Sequence, residues 1–263
     1  MSDSASRGHW PATLLGDALR GRRVLVTGSS RGIGAAVAAA FADLGAAVAI
    51  HGRDEAGLAA AAAGMAGSVV PLAGDFADRA QVAAVVERAV AALGGLDILV
   101  NNAGTMLGRV MLPDIDDAFL QRQLNLNAAS AVIASRVALP ALAESRGTII
   151  NTVSISGRTG GSPGSSLYSA AKAFQASLAR SLATELAPRG IRVNAVSPGT
   201  IDTDFHARYS TPEKLAQTAA RIPLGRIGTA QDCVGAYLFL AAPALSGYIT
   251  GQVIEVNGGQ FYG

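Results

Sequence analysis

Tyr168 and Lys172, in the run Leu167-Tyr168-Ser169-Ala170-Ala171-Lys172, are one helical turn apart, so on a helix their side chains share a face. An unperturbed phenol, with a pKa of about 10, is a poor proton donor or acceptor at neutral pH. A cation beside it favours the phenolate and draws the pKa toward the working range of a general acid–base group. The pair by itself is a weak signal, because most such pairs are ordinary neighbours on a helix surface. It gains weight from Ser154, a short way upstream, and from the glycine-rich run Thr27-Gly28-Ser29-Ser30-Arg31-Gly32-Ile33-Gly34 near the start.

That run follows a β-branched stretch and precedes an alanine-rich one. Gly28, Gly32 and Gly34 there permit a tight turn and a close approach of a pyrophosphate to backbone N–H groups at a helix N-terminus. Ser30, Arg31 and Ile33 complete the candidate phosphate-side loop. The spacing Gly-x-x-x-Gly-x-Gly differs from the general dinucleotide fingerprint, and an ordinary strand–helix turn is the competing explanation; the surrounding βαβ pattern argues against it. About twenty residues on, where an acidic residue would hold the ribose diol of NAD, the chain reads His51-Gly52-Arg53. Gly52 in the acidic place, with Arg53 beside it and Arg31 in the loop, suits the 2′-phosphate of NADP. NADP(H) is therefore expected over NAD(H). The alternative has both arginines solvated and Asp54 turned in to the ribose, as an NAD-linked alcohol or sugar dehydrogenase would need.

Such residues need a frame that brings them together. Short β-branched runs at 23–27, 47–51, 68–72, 96–101, 147–153, 192–196 and 252–256 read as strands, and Ala/Leu-rich stretches at 32–44, 54–64, 78–93, 115–143, 166–187 and 229–241 read as helices. Their alternation predicts an α/β fold: one Rossmann-type, doubly wound domain over 21–263, with a mostly parallel seven-stranded sheet flanked by helices. Residues 1–20 read as a mobile N-terminal arm. The segment 199–228 has no clear element and follows a strand end, which makes it the expected substrate lid.

Composition narrows the function classes. The formal charge is +2 and the arginines are scattered, so no nucleic-acid surface is expected. Ala56–Gly74 carries only apolar and small residues apart from Ser68, but it is mostly Ala and Gly with Pro71 inside, so no membrane span is expected. The single cysteine, Cys233, excludes an intrachain disulfide and fits the cytoplasm; its apolar neighbours predict a packed thiol. His9, His51 and His206 lack metal-ligand spacing, so no metal is expected.

Taken in order, Thr27–Gly34, Asn101-Asn-Ala-Gly104, Ser154, Tyr168-x-x-x-Lys172, Pro198-Gly199 and the closing Tyr248–Ile254 and Asn257-Gly-Gly259 resemble the short-chain dehydrogenases/reductases from about residue 20 to the C-terminus. The resemblance implies a carbonyl/secondary-alcohol oxidoreductase acting on a small molecule. Tyr168 would be its general acid, and Lys172 would lower the phenol pKa and bond the nicotinamide ribose. Ser154, favoured over Ser156 by the Ser-x-x-Gly157 pattern, would hold the substrate oxygen. Asn127, with Asn125 as second choice, would hold a water in the proton relay.

On the cofactor side, Asp75 would receive the adenine amino group and Phe76 would follow with a backbone contact. Asn102, Ala103 and Gly104 would line the adenosine, and Pro198, Gly199, Ile201 and Thr203 the nicotinamide. Helix capping is the competing role for Asp75, and packing for Asn127. The closest look is to 3-oxoacyl-carrier-protein reductases and sugar or polyol dehydrogenases. Where the carrier-protein reductases often place Arg before a Glu, as a docking residue, this chain reads Ala183-Thr184-Glu185. The family also implies a homotetramer, or a homodimer, paired through the helices carrying Asn127 and Tyr168 and through the C-terminal segment. A non-catalytic redox sensor or scaffold on the same fold is the alternative from a different class.

Overall fold

Along the first strand, Val24 and Val26 point into one buried cluster and Leu25 into another, the period-2 alternation of a strand covered on both faces. The computed structural model describes residues 14–262. Its strands are β1 (Arg23–Val26), β2 (Ala47–Gly52), β3 (Val69–Ala73), β4 (Ile98–Asn101), β5 (Thr148–Thr152), β6 (Arg192–Pro198), β7 (Ile201–Asp202), β8 (Gly228–Thr229) and β9 (Val253–Val256). Seven of them form one sheet in the order β3-β2-β1-β4-β5-β6-β9, with every pairing parallel. The order reverses between β1 and β4, and a crevice opens there at the carboxyl ends of the strands.

The helices are α1 (Leu14–Leu19), α2 (Gly32–Asp43), α3 (Glu55–Ala63), α4 (Arg79–Leu93), α5 (Asp117–Leu124), α6 (Ser130–Ser145), α7 (Ser156–Thr159), α8 (Ser166–Leu186), α9 (Asp204–Tyr209), α10 (Pro212–Ala219), α11 (Ala230–Ala241) and α12 (Pro243–Ser246). Phe41 of α2 and Tyr237 of α11 pack on one sheet face; Val82 and Val86 of α4, Ala138 and Leu142 of α6 and Ala179 of α8 pack on the other. Truncating the fully buried Phe41 to Ala would cost about 3–5 kcal/mol. Asp54 caps α3, accepting from Gly57 N at 2.8 Å, and Asp78 caps α4, accepting from Ala80 N at 2.9 Å; such caps contribute about 1 kcal/mol each.

Three segments depart from the sequence expectations. Residues 14–19, assigned to the mobile arm, form α1, and Leu19 is buried in the core; residues 1–13 of that arm lie outside the described residues. The single helix expected over 115–143 is interrupted by a π-turn, Asn125–Ala129, between α5 and α6. A π-turn inserts a residue into the helical ladder, an offset no hydrophobic periodicity reports. The 199–228 stretch contains β7, α9 and α10, short pieces whose few apolar residues gave no periodic signal. By length and composition alone, Asp117–Ser145 is apolar enough to cross a membrane, yet Ala134, Ala138 and Leu142 on it are buried against the sheet.

Candidate active site

The carboxyl ends of β1, β2, β4, β5 and β6, with α9 and α10 above them, enclose a cavity of about 470 Å³. Every residue predicted for the site lines it except Asn127, which is fully buried behind its wall.

At one end β1 runs into the glycine turn. Gly28 (φ 64°) and Gly32 (φ 58°) adopt the left-handed backbone that favours glycine. A Cβ on Gly28 would sit 2.7 Å from Ala103 Cα, and one on Gly34 would overlap the Asn102 side chain and the Gly28 carbonyl. Backbone N–H groups of the turn can thus approach a pyrophosphate closely, so the residues present fit a dinucleotide.

Asn102 does more than line the pocket. Its Nδ2 donates to Thr27 O and Gly28 O, both at 2.9 Å, and its backbone N–H donates to Thr27 Oγ1 at 2.9 Å. Asn101 faces the other way, donating to Asn151 Oδ1 at 2.9 Å and Ser135 Oγ at 3.1 Å inside the fold.

His51, passed over in the sequence because it had no metal-type partner, is a brace for the turn. Gly28 N–H donates to its Nδ1 at 3.1 Å, which assigns the ring proton to Nε2 and a donor bond to Gly74 O at 3.0 Å. The ring is buried and stacks on Phe76 with centroids 3.7 Å apart. Desolvation lowers its pKa from 6.5 to about 4, so it stays neutral. No sequence motif marked it; its place at the end of the second strand was the available signal.

Around the expected ribose end, Gly52 lies against Ser30, where an added Cβ would stand 3.1 Å from Ser30 Oγ. Arg53 is exposed on the rim, and Asp54 is occupied in capping α3. Arg31 instead pairs with Asp204 at the start of α9, 3.5 Å away. Asp75 is not a helix cap: it accepts from Ala77 N at 2.9 Å and faces Arg122 at 3.5 Å. Thr203 packs over the glycine turn, its Cγ2 3.6 Å from where a Gly32 Cβ would be.

At the cavity centre, close packing sets the geometry. A Cβ on Gly157 would lie 2.8 Å from Ala173 N, so glycine there lets the segment after β5 press against α8 and bring Ser154 to Tyr168. Ser154 lies beside the Tyr168 phenol and acts to lower its pKa. Ser156 donates to Ser154 Oγ through its own Oγ (3.0 Å) and backbone N (3.2 Å), which leaves the Ser154 proton to point into the cavity.

The net lowering of the phenol pKa expected from Lys172 is not found in this arrangement. Burial pushes Tyr168 above its ordinary value, only partly opposed by Ser154. Lys172 Nζ sits 5.7 Å from the Tyr168 ring centroid and donates to Thr152 O at 2.7 Å. Its own pKa falls to about 8 through desolvation. The helical spacing was read correctly, but the ammonium is turned toward the strand end rather than the phenol oxygen.

Asn127 has its side chain engaged: Oδ1 accepts from Thr105 N at 2.9 Å, and Nδ2 donates to Thr105 O at 2.9 Å and Gln123 Oε1 at 2.6 Å. Its link to Lys172 runs through Gln175, which donates to Asn127 O at 2.7 Å and accepts from Lys172 Nζ at 3.5 Å. Gln175 was missed, although its spacing three residues after Lys172 puts both on one helix face.

Over the centre, Phe205 of α9 lies 5.5 Å from the Tyr168 ring and 5.1 Å from Tyr209. Arg109 ties the lid down, donating to Tyr209 O at 3.0 and 3.1 Å and to Pro163 O at 3.1 Å. His206 of α9 is half-buried and lines the cavity. Cys233 is buried and its thiol is pushed up to about 12 by desolvation, which leaves it inert.

A doubly wound parallel sheet with a glycine cradle at its switch point and a Ser, Tyr, Lys cluster beside it defines a nucleotide-dependent oxidoreductase. Comparison with known proteins agrees. A family described as "Enoyl-(Acyl carrier protein) reductase" matches residues 28–260. The chain is 38% identical over 250 residues to the 3-oxoacyl-[acyl-carrier-protein] reductase of Thermotoga maritima, covering 92% of this chain and 98% of that protein. It is 39% identical over 250 residues to the cis-4-hydroxycyclohexanecarboxylate dehydrogenase of Sinomonas cyclohexanicum, covering 93% and 98%. Among solved structures, an NADH-dependent reductase responsible for alginate metabolism superposes with a TM-score of 0.85 at 36% identity, covering 94% of this chain and all of that one. The chain belongs to the short-chain dehydrogenase/reductase family. It is an oxidoreductase of the alcohol–carbonyl type that works with a nicotinamide cofactor.

Proposed function

We propose that the chain interconverts a carbonyl compound and a secondary alcohol with NADP(H), with Tyr168 as the general acid–base. The convergence of Ser154, Tyr168 and Lys172 at the centre of the cavity carries this reading. When bound, the nicotinamide supplies or accepts the hydride. In reduction the Tyr168 hydroxyl gives its proton to the substrate oxygen, and Ser154 Oγ–H donates to the same atom. Ser156 holds Ser154 in that orientation. Lys172, fixed by Thr152 O, places a positive charge behind the phenol, where it favours the phenolate left after transfer. Phe205 and the lid exclude water from the proton path. In oxidation the proton moves the other way.

NADP(H) preference rests on Gly52, on exposed Arg53 at the rim, and on Asp54 being held as a helix cap. Arg31 can serve the same phosphate by exchanging Asp204 for it, an exposed ion pair of the kind that contributes little, about 0–1 kcal/mol. The homotetramer reading is supported by Leu124, Val132 and Phe174, which leave an apolar patch across α5, α6 and α8. A cytoplasmic setting is consistent with the lone, buried cysteine.

Tyr168→Phe tests the mechanism. It keeps the ring but removes the proton, so cofactor should still bind while turnover falls by about two to four orders of magnitude. Near-normal turnover would end the proposal. Cofactor choice is tested by NADPH against NADH affinity; Gly52→Asp with Arg53→Ala should reverse it, and equal wild-type affinities would count against the 2′-phosphate site. Light scattering decides the assembly, and a fully active monomer at micromolar concentration would refute a tetramer.

A further inference from the structure

Charge is unevenly distributed in the cavity. The carboxylates lining it, Asp75 and Asp204, each already face an arginine, Arg122 and Arg31 respectively, at 3.5 Å. The cavity wall also carries Arg109 and, on the lid helices α9 and α10, Arg208 and Lys214; all three are exposed, and none of them is ion-paired among the described residues. Arg109 is satisfied by neutral carbonyls only, and Lys214 Nζ by the Ser162 hydroxyl at 3.3 Å. His206 sits among them: burial first, then the charges of Arg109 and Lys214, lower its pKa against an opposing pull from Asp202, which is exposed and does not line the cavity. Arg109 and Lys214 therefore act on the half-buried His206, beside the hydroxyls of Ser162 and Ser210, and neither cation is paired with a carboxylate among the described residues. Phe205 and Leu215 supply apolar wall beside it. A cleft lined by one sign of charge with apolar walls concentrates ligands of the other sign.

We propose that the substrate is a carbonyl compound, or the matching secondary alcohol, that carries a carboxylate, with its carbon body against Phe205 and Leu215 and its carboxylate on Lys214 beside Arg109. This rests on the oxidoreductase reading and adds the chemical class of the substrate. Lys214 is the residue to perturb, because Arg109 also clasps the lid. A charge-assisted bond from an ammonium to a carboxylate is shorter and stronger than the bond to a neutral ester.

The test compares two probes that differ by one charge, 4-oxocyclohexanecarboxylate and its methyl ester, in NADPH oxidation by the full-length protein. Wild type should favour the acid by about tenfold or more in kcat/KM, mainly through KM. Lys214→Gln should bring the ratio toward one and Lys214→Arg should retain it; added salt should depress only the acid. Equal use of the two probes by wild type, or an unchanged ratio in Lys214→Gln, would overturn the assignment.

Calorimetry of cyclohexanecarboxylate with the enzyme–NADPH complex gives a readout that needs no turnover, and absence of binding likewise overturns it. A preparation that reduces cyclohexanone but neither binds nor prefers the acid removes the carboxylate site and leaves the oxidoreductase reading standing. One that binds the acid yet reduces no carbonyl keeps an anion site but overturns its assignment to the substrate.

Discussion

His51 links stability to pH in a way that can be worked from its surroundings. Its ring is neutral, receives the Gly28 N–H at 3.1 Å and donates to Gly74 O at 3.0 Å. Burial lowers its pKa from 6.5 to about 4. The unfolded chain therefore takes up a proton at higher pH than the folded one, and stability falls as pH drops from about 6.5 toward 4. At 1.36 kcal/mol per unit the full effect is about 3 kcal/mol, of which about 2 kcal/mol is already lost at pH 5. His51→Phe keeps a ring against Phe76 but cannot titrate and leaves both backbone partners unpaired, at about 1–3 kcal/mol each.

Thermal unfolding of wild type and His51→Phe at pH 7.5 and pH 5 separates the two effects. The variant should melt lower at pH 7.5, and its deficit should shrink at pH 5 by about 2 kcal/mol, or about 4–8 °C in Tm. Other titrating groups cancel in this double difference. A deficit that is the same at both pH values would refute the buried neutral imidazole.

The other expectations are briefer. Gly34→Ala would place a methyl 2.5 Å from Gly28 O and 3.0 Å from Ser29 Cα; the overpacking, about 1–3 kcal/mol, should weaken cofactor binding in fluorescence titration by about tenfold to a hundredfold, and a change within twofold would argue against the cradle. Gln175→Leu removes the bridge between Asn127 O and Lys172; it should cost about 1–3 kcal/mol of stability and displace the pH–kcat profile, which a residue with a packing role alone would leave in place. Tyr237→Phe should lower stability by about 1 kcal/mol, read as a small fall in Tm, and an unchanged Tm would show that its hydroxyl contributes nothing.

Strand positions, the glycine turn and the Tyr-Lys helix were legible because each is local: a β-branched run, a three-glycine spacing and a four-residue interval. All seven expected strands form, and their register follows from alternation over buried faces. What could not be read depends on distant partners. His51 acquires its role from Gly28 and Gly74, which approach only when β2 pairs with β1 and β3. The π-turn that seats Asn127 is an insertion within an otherwise uninterrupted apolar pattern. The orientation of Lys172 depends on where Thr152 O lies, and that carbonyl is brought there by β5. The lid helices are short and polar, so their cations and aromatics became a wall only after folding.

Thr152 ties the two halves of the site together. Its carbonyl receives the Lys172 ammonium at 2.7 Å, while its hydroxyl donates to Asn102 Oδ1 at 3.2 Å. A hydroxyl has one proton, so the 2.7 Å contact between Thr152 Oγ1 and Tyr237 is a bond donated by the tyrosine. The chain of contacts runs from Tyr237 in α11 through Thr152 to Asn102, and from Asn102 Nδ2 to Thr27 O and Gly28 O in the glycine turn. The Lys172 ammonium and the glycine turn are thus registered to each other through one residue at the end of β5, beside the switch point. Satisfied at each step and buried or half-buried throughout, this network costs little to maintain and much to disturb. A shift of the strand end would disturb both the ammonium behind Tyr168 and the glycine turn, because Thr152 bonds to each side of the site. If Tyr168 is the proton donor proposed above, that shared anchor gives a reason for the lysine to bond the strand rather than the phenol: its charge is held at a fixed place behind the ring.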